Sequence, residues 1–87
     1  MALSMTAVGT GTCPVSGPGT QSTVTVTNAG IASTNQILLT PTKRVKDGTG
    51  YFKIYVYSVG TGSMVIAVDK NQLPETLTFN YVAFASA

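Results

Sequence analysis

The stretch YFKIYVYSVGTGSMVIAV, residues 51–68, decides how this chain folds. From Tyr51 to Val59 the side chains alternate with a period of two, the repeat of a strand and not of a helix. Phe52, Ile54 and Val56 take one face, and Tyr51, Lys53, Tyr55 and Tyr57 take the other. Gly60-Thr61-Gly62 supplies a hairpin turn. Ser63 to Val68 (SMVIAV) then follows as a near-continuous apolar run, as expected of a strand in the middle of the assembly.

Working outward, Thr42 to Gly50 (TKRVKDGTG) reads as the exposed connection of a hairpin, with Asp47-Gly48 as a favoured turn pair. Before it lie Gln36 to Thr40 (QILLT), a strand that Pro41 ends or pushes to an edge, and Ser22 to Asn28 (STVTVTN). In the latter Val24 and Val26 oppose Thr23, Thr25 and Thr27, and all are β-branched. Asn28-Ala29-Gly30 and a short turn over Ile31–Asn35 separate these two strands. A first strand spans Leu3 to Val8, and Gly9 to Gln21 (GTGTCPVSGPGTQ) reads as an irregular connection or arm. Downstream, Asp69 to Pro74 is a polar connection. Thr76 to Phe84 (TLTFNYVAF) sets Leu77, Phe79, Tyr81 and Ala83 against Thr78, Asn80, Val82 and Phe84. Both faces of that last strand carry aromatics, so each needs cover.

The expected fold is therefore all-β, a small antiparallel β-sandwich or barrel of about six strands. Residues 1–21 form an extended Gly/Pro/Ser/Thr-rich N-terminal arm with one possible strand, and 22–87 form the β domain. At 87 residues a monomer hides only roughly 60–65% of its unfolded surface. Cys13 is the sole cysteine, so no disulfide within the chain adds stability, and oligomerisation is the remaining route. Composition agrees: 44% of residues are hydrophobic but only 9% are charged, against about 25% in an ordinary soluble domain. The two-faced closing strand makes Leu77, Phe79, Tyr81, Val82 and Phe84 the candidate subunit interface.

The chemistry available is sparse. There is no histidine to serve as base for Cys13, and Asp47, Asp69 and Glu75 are scattered, so neither catalysis nor a metal or other cofactor is expected. Asp69-Lys70-Asn71 opens like a calcium loop, but Leu73 and Pro74 stand where ligands and a turning glycine belong. The two Gly-Thr-Gly sites read as turns, because a phosphate-cradling loop needs a helix after it. A net charge of +2 points to neither nucleic acid nor an anionic membrane. Lys43, Arg44 and Lys46 form the basic cluster, and Tyr51, Tyr55 and Tyr57 could stack on a sugar or anchor a protein interface. These six are the candidate partner contacts.

Read as one pattern, TVTVTNAGIASTNQILLTPTK (23–43), YFKIYVYSVGTGSMVIAV (51–68) and TLTFNYVAFA (76–85) resemble a short β domain of tailed-bacteriophage virion proteins, including head-decoration, head-fibre and tail-fibre types. The resemblance implies a homotrimer that buries its closing strands around a threefold axis on a virion. It implies a viral structural protein made in the host cytoplasm, a capsid decoration or cement subunit whose partner is the major capsid protein. The alternative it allows is a fibre-tip module that binds a host receptor or glycan. It carries across no catalytic residue.

Overall fold

The computed structural model describes residues 3–86, and their fold is all-β and antiparallel. The strands are β1 (Leu3–Cys13), β2 (Thr23–Thr27), β3 (Gln36–Pro41), β4 (Lys46–Asp47), β5 (Gly50–Tyr51), β6 (Ile54–Gly60), β7 (Ser63–Val68) and β8 (Leu77–Ser86). One three-stranded sheet has the order β1-β8-β3, the other β2-β7-β6, and β4-β5 is a small hairpin. The larger sheets face each other, with β1 against β2 and β7 and with β3 against β6. The longest dimension, 42 Å, lies along the strands, since 11 residues of β1 extend for about 36 Å.

Each sheet turns its apolar rows inward. Across β2-β7-β6 these are Val24–Ile66–Val56 and Val26–Met64–Val59. A bulge in β6 between Val56 and Ser58 makes Tyr57 the extra residue, which returns Val59 to the inner face where strict alternation would have placed Ser58. Against them β8 sets Leu77, Phe79, Tyr81 and Ala83, all buried. The loops close the ends. Ile31 and Val45 are buried, and Leu73 is sealed in by the Ser16–Leu73 bridge, whose two backbone hydrogen bonds measure 2.9 and 3.1 Å. Nothing in the polar stretch TKRVKDGTG marks Val45 as a core residue, yet its carbonyl accepts from the Phe52 N–H at 2.9 Å and it is fully covered.

The largest departure from the sequence reading is at the N-terminus. β1 does not stop at Val8 but pairs with β8 as far as Cys13↔Leu77, so the described part of 1–21 is built into the sandwich and does not stand off as an arm. Gly9-Thr10-Gly11 is strand, not turn. The reason is steric: Gly9 lies opposite Tyr81 and Gly11 opposite Phe79, both on the inner face. A Cβ at Gly9 would meet the Tyr81 ring at 2.7–2.9 Å, and one at Gly11 would overlap the Phe79 ring, with Cε2 only 2.9 Å away. The glycines are thus slots in which two aromatic rings lie across the neighbouring strand.

Two turn assignments also shift. In the β4-β5 hairpin Asp47 pairs with Gly50, so the loop residues are Gly48 and Thr49 instead of Asp47 and Gly48. The strand expected over Tyr51–Val59 is interrupted at Phe52 and Lys53, leaving Tyr51 in the β4-β5 hairpin and Tyr55 and Tyr57 in β6. The Gly60-Thr61-Gly62 hairpin forms as expected, and Gly62 takes φ 79°, a conformation unfavourable for any residue with a Cβ.

Candidate interaction surfaces

The six long strands contain no Asp, Glu, Lys or Arg. Every charged residue falls between Lys43 and Glu75, in the segments 42–53 and 69–76, and both segments lie at the same end of the sandwich. β3 and β7 arrive at this end, while β6 and β8 leave from it. The opposite end holds the 28–35 loop, the Gly60–Ser63 hairpin, and the start of β1 paired with the end of β8. The charged side chains are therefore all at one end of the molecule.

The outer face of β1-β8-β3 is graded along the same axis. Register places Met5 beside Phe84 and Gln36, then Val8 beside Val82 and Leu38, then Thr10 beside Asn80 and Thr40. Nearest the charged end Thr12 lies beside Thr78, whose hydroxyl shares a 2.7 Å hydrogen bond with that of Thr42. Apart from Gln36, apolar side chains thus fill the neutral half of the face, and hydroxyl and amide groups fill the other. Met5 is 62% exposed, Val8 59% and Leu38 58%. The bulge at Met5/Ala7 in β1 keeps Met5 and Val8 on the same outer face, where strict alternation would have set them on opposite faces.

This geometry divides the expected interface. Leu77, Phe79 and Tyr81 are 1%, 0% and 3% exposed within the single chain, so they belong to its own core and cannot meet a partner. Val82 and Phe84 lie on the outer face, half-buried, among Met5, Val8 and Leu38. The second sheet covers one face of the closing strand; the other has only its flanking strands.

The expected tyrosine face is also divided. Tyr55 and Tyr57 stay together, with ring centroids 6.4 Å apart at 47°. Tyr55 also has a packing role: it lies opposite Ala67, and Gln21 Nε2 donates to its hydroxyl at 2.9 Å and to the Val68 carbonyl at 2.8 Å. Together these side chains span Ala67, which is fully buried although it faces outward from the sheet. Tyr51 sits apart in the hairpin, opposite Lys46, with the Arg44 guanidinium 5.2 Å from its ring centroid. Lys43 reaches Glu75 at 3.6 Å and Lys70 reaches Asp47 at 3.6 Å, both as exposed pairs. Arg44, Lys46, Lys53 and Asp69 have no ion pair among the described residues, the Asp69 carboxylate instead accepting from the Lys53 N–H at 3.1 Å, so the charged end carries the net +2 of the sequence.

No pocket is enclosed by the described residues, and they hold no group of three or more potential metal ligands. Cys13 is buried, and burial pushes its thiol above the ordinary 9.0. At neutral pH it is a packed thiol opposite Leu77. No family model matches this chain, and neither a curated protein nor a solved structure matches it.

Proposed function

We propose that this chain is a structural subunit of a tailed-phage virion, a capsid decoration protein that works as a homotrimer and performs no catalysis. The observation that supports this reading is the confinement of all charge to one end of the molecule. A domain that stays alone in solution carries roughly 25–35% charged residues over its surface. Six long strands without a single charge suit a molecule whose sheet faces are covered by neighbours. The charged end, with its net +2 and with Arg44 and Lys46 free of ion pairs among the described residues, suits contact with an acidic patch on the shell.

Mass spectrometry of gradient-purified particles and light scattering of the isolated protein test this reading. The chain is expected among the virion proteins, and at three times 9.0 kDa in solution. Its absence from purified particles would rule out the decoration role.

A second reading rests on Tyr55 and Tyr57, whose adjacent exposed rings fit the stacking surface of a fibre-tip module for a host glycan. Titration with host polysaccharide, followed by tyrosine fluorescence, separates the two. No change at millimolar sugar removes the glycan reading.

A further inference from the structure

We infer that the neutral half of the outer β1-β8-β3 face, formed by Met5, Val8, Leu38, Val82 and Phe84, is where a second copy of this chain packs. The inference rests on the self-association in the proposed function and assigns it to one surface.

Area is the first argument. At roughly 150–200 Å² for a fully open side chain of this size, Met5, Val8 and Leu38 present about 300 Å², and Val82 and Phe84 bring the patch to about 400 Å², within the ordinary range of the largest patch on a typical monomer. A standard interface takes about 800 Å² from each partner, a little over half of it non-polar, which calls for about 450 Å² of apolar surface. These five side chains supply nearly all of that. Gln36, in the same row as Met5 and Phe84, and Thr10, Asn80 and Thr40, in the flanking row, supply the polar remainder.

Electrostatics choose the occupant. An acidic or basic partner finds no opposite charge on these three strands, so charge complementarity gives it no advantage there. A second copy brings an equally uncharged face, so no ion is desolvated and no like charges meet when the two are laid together. The edges permit the approach as well: β1 is an 11-residue edge strand without the charges that usually keep such edges apart.

Light scattering of wild type, Leu38→Lys, Val8→Lys and Thr25→Lys across about 1–100 µM, within the range where interfaces of this size associate, tests the assignment. Each new lysine sits at an exposed outward position, so the sandwich can form around it. Circular dichroism is read alongside to confirm the β spectrum. Wild type and Thr25→Lys, whose change is on the other sheet, are expected at three times 9.0 kDa. Leu38→Lys and Val8→Lys are expected at 9.0 kDa, or with the association midpoint raised at least about tenfold. Should one lysine variant lose its β spectrum, the other carries the test, with Leu38→Cys treated with a short bismaleimide as the second measurement. Covalent dimers are expected from it, because native Cys13 is buried. If folded lysine variants keep the wild-type mass, the face is wrong while self-association stands. If wild type itself runs at 9.0 kDa throughout, self-association and this assignment both fail.

Discussion

Gly11→Ala adds one methyl group to the inner face of β1, directly onto the ring of Phe79. The ring cannot easily give way, because Phe79 is fully buried in β8, between β1 and β3. Overpacking of this kind costs about 1–3 kcal/mol. Against it, replacing a strand glycine removes unfolded-state freedom and returns about 0.5–1 kcal/mol. The net loss is then about 1–2 kcal/mol, or a fall in Tm of roughly 5–15 °C for a domain of this size. Gly17→Ala is the matched control, since a Cβ there meets nothing within 4 Å and φ is not positive. It should change stability by no more than about +1 kcal/mol. Both are read by thermal and urea unfolding at one fixed protein concentration, because association would otherwise shift the midpoints. The mechanism makes a further demand: Phe79→Leu should relieve part of the Gly11→Ala penalty, so the double variant loses less than the sum of the single losses. A Gly11→Ala protein as stable as Gly17→Ala, with additive behaviour at Phe79, would refute the view that these glycines are slots for rings.

Other consequences can be checked on the same preparations. Asn28→Ala removes the acceptor of the Gly30 N–H and the 3.0 Å hydrogen bond to the buried Tyr81 hydroxyl, and should cost about 1–3 kcal/mol in urea unfolding. Tyr55→Ala should lower stability more than Tyr57→Ala, because Tyr55 spans Ala67 whereas the bulged Tyr57 is 63% exposed. Glu75→Gln should change stability by less than about 0.5 kcal/mol, because its pair with Lys43 is exposed. Cys13 should resist an aromatic disulfide reagent until the chain unfolds. Because its thiol pKa is raised in the fold, the unfolded chain loses that proton first. Its contribution is complete below the ordinary thiol value of 9.0 and is lost as pH rises through the folded value, so Cys13→Ser should flatten the alkaline side of a stability–pH curve.

Much of this molecule is legible from residue order. Period-two alternation in STVTVTN and TLTFNYVAF marks strands and sorts their side chains into two faces, because in a pleated chain the sign of each side chain follows from its parity. Parity could not say what covers each face. Leu77, Phe79 and Tyr81 look the same whether their cover is the second sheet of their own chain or a neighbouring subunit, and only the packing of β2-β7-β6 onto β8 assigns them to the chain's own core. Gly9 and Gly11 look like turn residues because the signal for strand, a side chain, is the group they lack. Pairing with Tyr81 and Phe79, some 70 residues away, makes them strand. That all eight charges gather at one end was also present in the sequence, as the confinement of charge to segments 42–53 and 69–76. It becomes a property of the molecule only when the strands bring both segments to the same end. Local order fixes which way a side chain points, and long-range pairing fixes what it meets, because the energies that choose a partner come from contacts between segments the sequence keeps far apart.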